Sequence, residues 1–304
     1  MGVAPDFSVI IPSYQARATI QSCLQSLQNQ VDAPPFEVII VDSSQDGTAD
    51  FIRINFPSVK LLTLKERAYP GEARNKGMTL VQGKITAFLN SNCDVPPDWL
   101  KTMSNIFNNP QIEGLSGTKI LPSKTTLAGQ IQFWLEFYDF LSFHPPHLVN
   151  FAPTANCAFR TASLKDITFP EDLRTVEDRV FGEEWIKRGH QICFRPDVKV
   201  IYHAKKTWSE ALFHLKQLGS WSAKARIRYG LPGKKLATWW IFIPFLLPYR
   251  LARIFDVFLR HQPRQLPRLF LYSPFIIGGL SYWTWGYFTS TVIEKFFSNH
   301  KKKS

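Results

Sequence analysis

The chain has 304 residues, 45% of them hydrophobic and 20% charged, a composition that builds a core and excludes an intrinsically disordered protein. Its formal charge of +12 is unevenly held: residues 1–203 carry 19 Lys/Arg against 21 Asp/Glu, and residues 204–304 carry 17 against 3. The 4 cysteines, Cys23, Cys93, Cys157 and Cys193, lie far apart with no Cys-x-x-Cys, which excludes a zinc ribbon or a disulfide scaffold and fits a reducing cytosol.

The first strand-like run follows the amino terminus with no apolar signal region between them, so export of the amino-terminal part is not expected. Short β-branched runs over 7–11, 36–41, 59–63 and 85–89 alternate with helical stretches over 18–27, 48–55 and 71–81. The alternation predicts an α/β fold with a mainly parallel sheet flanked by helices. The strands are apolar along their whole length, as strands covered on both faces must be. Ligands of such sheets sit beyond the carboxyl ends of the strands. There the chain reads Pro12-Ser13-Tyr14, Asp42-Ser43-Ser44 and Asn90-Ser91-Asn92-Cys93-Asp94. No GxGxxG occurs and residues 230–235 miss the Walker spacing, so hydride transfer and P-loop hydrolysis lose their signatures.

Beyond residue 110 the pattern mixes a helical aromatic stretch over 127–143, a loop over 144–147, short strands near 157–160, 191–194 and 198–201, and helices over 179–188 and 208–229. This predicts one domain over 1–230, with a nucleotide-binding half (1–110) and a half that handles a second substrate (111–230). Residues 231–304 then form a basic, aromatic, helical region. Basic, aromatic and apolar together suit an anionic membrane surface, and not nucleic acid, whose contact faces seldom need 25 consecutive uncharged residues such as 269–293.

Residues 236–248 supply 13 uncharged residues, too few to span a bilayer; 269–293 supply 25, which is enough. Cations flank that longer run on both sides, Arg250, Arg253, Arg260, Arg264 and Arg268 before it and Lys295 and Lys301 to Lys303 after it, which disfavours crossing. Pro274 and Gly278-Gly279 suggest a re-entrant turn, with Trp239, Trp240, Tyr282, Trp283, Trp285 and Tyr287 as interfacial anchors. The expectation is monotopic or re-entrant attachment to the cytoplasmic face of a membrane through 236–293. A true span is the first alternative, and a buried helical subdomain or a dimer face the plainer one.

The stretches SVIIPSYQARATIQSCLQSLQNQ, FEVIIVDSSQDGTADFI, YPGEARNKGM, ITAFLNSNCDVPPDWL, TANCAFRTASL and VEDRVFGEEWIKRGHQICFRPDVKVIYH together closely resemble, in order over roughly residues 7 to 230, the family 2 glycosyltransferases of GT-A (Rossmann-like) fold. The resemblance implies an inverting transferase that uses a nucleotide-sugar, most often a UDP-sugar. It gives Asp42 a hydrogen bond from the nucleobase, where a turn or cap residue is the plainer reading, and places Pro12 and Tyr14 against the base, with simple packing as the alternative for Tyr14. Gly71 to Asn75 open a helix with small residues, so its amino-terminal amides are candidates for phosphate or ribose. Arg74 would add fixed charge near the diphosphate; otherwise it is a surface ion pair.

Where the resemblance implies an Asp-x-Asp holding Mg²⁺ or Mn²⁺, the chain reads Asn90-Ser91-Asn92. An asparagine carbonyl can ligate a hard cation but brings no negative charge, so metal use is in doubt; Asn92 and, two residues on, Asp94 are the candidate ligands, and the resemblance matches His203 to a position that contributes to metal or diphosphate binding, where a polar strand-end residue is the plainer reading. Lys216, Lys224 and Arg228, at spacings that share a helix face, are candidates to neutralise the diphosphate or meet lipid headgroups; the plainer reading is a solvated face. Asp178 matches the implied general base, with Glu177 beside it to position the acceptor; a pair of helix-start acids is the plain alternative. Asn156 is a weaker candidate for sugar contact. The acceptor is expected to be lipid-linked or a cell-surface polysaccharide. The competing function is a sugar-nucleotide-binding scaffold at the membrane whose catalysis has been impaired.

Overall fold

The structure is a computed structural model that describes residues 4–301, without the side chains of residues 236, 237, 240 and 295–301. Two compact units emerge, one built from the chain up to Ile120 with Pro145–His203, the other from Leu121–His144 with everything after Ala204. This division differs from the expected boundary at residue 230.

The first unit begins with β1 (Phe7–Ser13), α1 (Ile20–Gln28), β2 (Phe36–Asp42), α2 (Thr48–Asn55), β3 (Lys60–Thr63), α3 (Pro70–Met78) and β4 (Ile85–Leu89), close to the run of elements read from the sequence. After β5 (Cys93–Asp94), α4 (Trp99–Phe107) and β6 (Gly114–Ile120), α5 (Leu127–Phe137) belongs to the other unit. The chain then returns through β7 (His147–Val149), β8 (Asn156–Arg160), α6 (Glu177–Lys187) and β9 (Ile192–Tyr202).

These strands form one sheet among the described residues, in the order β3-β2-β1-β4-β8-β6-β9-β5, with β7 on β9. Strands β1 to β4 are mutually parallel, whereas β8 runs antiparallel to both β4 and β6. The two short strands expected near 191–194 and 198–201 are one strand, β9. Its register against β6 jumps from Arg195 to Lys199, and Pro196, which has no N–H for the ladder, sits inside the jump.

One face of this sheet packs Ile10, Ile39, Phe88 and Phe159 against Phe169, Phe181 and Trp185. Phe169 stacks on Phe181 at 4.3 Å and meets Phe88 edge-on at 5.3 Å, arrangements worth about 1 kcal/mol each beyond burial. Because Phe181 and Trp185 lie on α6, this core seats that helix on the sheet.

The second unit is helical: α5, α7 (Trp208–Tyr229), α8 (Lys234–Thr238), α9 (Leu246–His261), α10 (Leu266–Leu271) and α11 (Ser273–Lys301). Thr207 and Glu210 close a capping box at the start of α7. The expected re-entrant turn is absent, since α11 runs unbroken from Ser273 to Lys301. Pro274 falls in its first turn, where a missing N–H costs no helical bond, and Gly279 is small because Leu135 lies 2.4 Å from where its Cβ would be.

Gly219 and Gly286 make the crossing of α7 and α11 close. A Cβ on Gly219 would stand 1.9 Å from the Trp283 carbonyl oxygen, and one on Gly286 2.0 Å from that of Lys216. Trp283 and Tyr287, expected as interfacial anchors, are buried, while Trp239, Tyr282 and Trp285 are exposed. Trp240, Lys295 and the lysine tail lie outside the described side chains. No described helix is long and apolar enough to cross a membrane, because small and hydroxyl residues dilute the 25-residue run.

Gly286→Ala should therefore lower the unfolding free energy by about 1–3 kcal/mol. Gly278→Ala, with nothing within 4 Å of its Cβ position, should raise it by up to about 1 kcal/mol. Urea unfolding of the two variants measures the contrast.

Candidate active site

Of the residues read as functional, Pro12, Tyr14, Asp42, Arg74, Asn75, Asn90, Glu177 and Asp178 lie near the carboxyl ends of β1, β2 and β4 or the starts of α3 and α6. Asp42 ends β2, is buried, and accepts hydrogen bonds from the Ser44 backbone N–H at 3.2 Å and hydroxyl at 2.7 Å. Ser44 in turn accepts from the Gln15 N–H at 2.7 Å, tying the loop after β1 to the loop after β2. Pro12 pairs with Val41 in the ladder. Tyr14 is exposed, and the Arg67 guanidinium lies 4.2 Å over its ring.

Arg74 is only 2% exposed, which removes the reading of it as a surface ion pair. Nη1 donates to Glu177 Oε1 at 2.6 Å and Nη2 to Asn90 Oδ1 at 3.1 Å, so one guanidinium joins α3, the end of β4 and the first residue of α6. Its Nε is buried without a partner among the described residues. At the start of α3, where the small residues are expected to admit phosphate, protein packs against one side: a Cβ on Gly71 would stand 2.1 Å from the Pro170 carbonyl oxygen. Asn75 is likewise occupied, donating to the Phe169 carbonyl and to Glu171 and accepting from the Phe169 N–H.

Asn156 is a correction as well. It is fully buried, donates to the carbonyls of Thr118 at 2.7 Å and Val198 at 2.9 Å, and accepts from the Trp99 indole at 3.0 Å. With its hydrogen bonds inside the sheet, it clamps β8, β6 and β9 together and has no surface for a sugar.

Glu177 and Asp178 are the first two residues of α6, preceded by Val176 in the left-handed region at φ 72°. A β-branched residue resists that conformation, and strain of about 1–3 kcal/mol persists only where surroundings enforce it. Burial, reinforced by the neighbouring Asp178 charge and opposed by Arg74, pushes the Glu177 carboxyl up to about 7. Burial also raises the pKa of Asp178, against the opposing charges of Arg179, Arg74 and Lys119. Asp178 Oδ1 accepts the Arg179 N–H at 2.8 Å.

Lys119 was not among the residues read from the sequence. It is 1% exposed in β6, a strand that its two glycines, Gly114 and Gly117, disguise. Gly117 is required there, because its Cβ would fall 2.3 Å from the Asn156 amide nitrogen.

The three candidate metal ligands do come together. His203 Nε2 and Asp94 Oδ2 are 2.6 Å apart, and the Asn92 amide donates to the His203 carbonyl at 3.2 Å. Asp94 Oδ1 is buried without a partner among the described residues. Those residues nonetheless include no group of three His, Cys, Asp or Glu suited to an ion. One carboxylate bonded to an imidazole, beside an amide that turns its NH₂ to the chain, fits a hard divalent cation poorly. Lys216, Lys224 and Arg228 lie on α7 in the helical unit, where Lys224 sits 4.2 Å over the Trp221 ring and Arg228 pairs with Glu294 at 2.7 Å.

A family model described as Glycosyl transferase family 2 matches residues 8–168, ending short of Glu177 and Asp178. Glycosyltransferase AglE of Haloferax volcanii is 28% identical over 220 residues, 68% of this chain and 70% of that protein. Poly(ribitol-phosphate) beta-N-acetylglucosaminyltransferase TarS of Staphylococcus aureus is 28% identical over 227 residues, 67% of this chain and 36% of that protein. A TarS structure in complex with UDP-GlcNAc superposes with a TM-score of 0.51 at 19% identity, covering 95% of this chain and 91% of that one. The mannosyltransferase PcManGT of Pyrobaculum calidifontis, in complex with GDP-Man and Mn²⁺, gives 0.61 at 18% identity, covering 97% and 88%. At these identities the structures show a shared fold.

The raised Glu177 carboxyl sets a pH test. A carboxyl bound more tightly to its proton in the folded state stabilises the fold fully below its unfolded pKa of 4.5, and that contribution fades as pH rises toward about 7. Wild-type stability relative to Glu177→Gln should therefore fall across that window, as read from urea unfolding of both proteins at a series of pH values.

Proposed function

The chain belongs to glycosyl transferase family 2 and is a transferase, and from that premise we propose that it inverts a nucleotide-activated sugar onto a lipid-linked or cell-surface polysaccharide acceptor, with Asp178 as general base. The observation that carries this reading is the buried Arg74–Glu177 pair, which holds the start of α6, and Asp178 with it, beside the end of β4. UDP-GlcNAc in the similar TarS fold supports a UDP-sugar donor, and the poly(ribitol-phosphate) in that relative's name supports a polymer acceptor.

In this mechanism the base and ribose lie against Pro12, Tyr14 and Asp42. The acceptor hydroxyl oxygen attacks the anomeric carbon opposite the diphosphate. The sugar–oxygen bond breaks with its electron pair leaving on the diphosphate, and the hydroxyl proton passes to Asp178 Oδ2, which makes no hydrogen bond among the described residues. Glu177 positions, held by Arg74. Arg74 and Lys119 supply positive charge for the departing diphosphate, with Asn90 and Asn92 bordering it. No step passes through a metal ion. The basic, aromatic helical unit keeps the enzyme at the cytoplasmic face of a membrane.

Asp178→Asn should lower transfer by about 10²- to 10⁴-fold and leave UDP affinity within about twofold, as measured by donor turnover and calorimetry; retained turnover would remove the base assignment. Turnover should survive EDTA, whereas strict dependence on added Mn²⁺ would return Asn92, Asp94 and His203 to a metal role. Firm UDP binding without turnover on any acceptor would favour the scaffold reading, which the asparagines at positions 90 and 92 motivate.

A further inference from the structure

The helical unit exposes aromatic side chains that its own packing leaves unused. Between α8 and the second turn of α9 lie Trp239, Ile241, Phe242, Phe245 and Tyr249, all exposed between 44% and 67%. Ile243, at 1%, plugs into the unit and turns its neighbours outward. The rings of Trp239 and Phe242 lie 6.3 Å apart, so the apolar surface is continuous there. Lys234 and Lys235 are exposed just before it, and Arg253, one turn beyond Tyr249 on α9, is exposed but paired with Asp139 at 3.1 Å. No acidic residue occurs between Glu210 and Asp256.

A second apolar stripe, Phe275, Tyr282, Trp285 and Val292 on α11, is also exposed, but residues 269–293 contain no cation. Charge therefore separates the two surfaces. Aromatic rings flanked by lysine and arginine suit the interface of an anionic bilayer, where each cation near the surface adds about 1 kcal/mol. The neutral stripe gains nothing from anionic headgroups.

We infer that the segment from Trp239 to Tyr249 is the surface by which the chain seats on an anionic lipid bilayer, its rings entering the headgroup region while Lys234 and Lys235 meet the headgroup charges. The inference rests on the membrane reading above and identifies the face responsible. It makes attachment peripheral and salt-sensitive, with α9 lying along the surface.

The full chain should cosediment with vesicles of phosphatidylcholine containing about one third phosphatidylglycerol at least about tenfold more strongly than with phosphatidylcholine alone, and lose that preference at high salt. The combined variant Trp239→Ser, Phe242→Ser, Phe245→Ser should lose about tenfold or more in vesicle affinity with donor turnover in solution unchanged. Tyr282→Ser with Trp285→Ser should bind vesicles as wild type does. Wild-type chain that ignores both kinds of vesicle overturns the membrane reading and this inference together. Strong binding that survives the triple variant, or that fails only in the α11 variant, overturns this inference alone. Wild-type dimers that the triple variant dissociates, without vesicle binding, would assign the surface to a second copy of the chain.

Discussion

A guanidinium buried to 2% with two donors placed, one on Glu177 and one on Asn90, sets the geometry of everything around it. Buried charges demand partners; removing one member of such a pair leaves an uncompensated charge at about 3–5 kcal/mol. Arg74 therefore constrains three elements at once, and α6 can begin in one place only. Gly71 against Pro170 and Asn75 on the Phe169 backbone hold α3 to the loop that leads to α6, and the stack of Phe169 on Phe181 continues the same clamp into the core. Val176 accepts a left-handed backbone because both of its sides are fixed in this way.

The same arrangement decides the electrostatics. With both carboxyls ionised, Arg74, Lys119 and Arg179 outnumber Glu177 and Asp178 by one charge, and burial lifts both acids toward neutrality. Asparagine at positions 90 and 92 adds no negative charge to this set. A carboxylate at position 90 would have given Arg74 a second acid beside Glu177. An amide oxygen instead orients the guanidinium at 3.1 Å and leaves Glu177, at 2.6 Å, as its charged partner. Asparagines at positions 90 and 92 go together in this chain with the poor fit of Asn92, Asp94 and His203 for a divalent cation.

Much of the first unit was legible because parallel strands covered on both faces must be continuously apolar. Residues 7–11, 36–41 and 85–89 could hardly be anything else, and the polar groups after them marked the site. Strand β6 was not legible, since Gly114 and Gly117 suppress any β signal and the need for Gly117 comes from Asn156, a residue far away in sequence. That hid Lys119 too. Asn156 was misread for a related reason: a polar residue in a matching motif suggests a ligand contact, while its bonds to Thr118, Val198 and Trp99 exist only once three strands and a helix have met. Asn75 and the small residues opening α3 follow the same pattern. Sequence shows that an amide or a missing side chain is needed, and tertiary contact determines what it serves.

The helical unit shows this ambiguity at larger scale. An uncharged run over 269–293 with paired glycines has the composition of a segment made for lipid, and also that of a close crossing between two helices. The distances decide for the crossing. Ile276, Leu280, Trp283 and Tyr287 repeat at helical spacing along one buried seam of α11, and Gly219 and Gly286 let the two backbones approach to where no Cβ fits. A seam of that kind cannot turn to lipid without exposing the partner face of α7. Whatever affinity this unit has for a bilayer must then come from side chains that the seam leaves outside, and those combine rings with cations at the start of α9, away from the most apolar stretch of the chain.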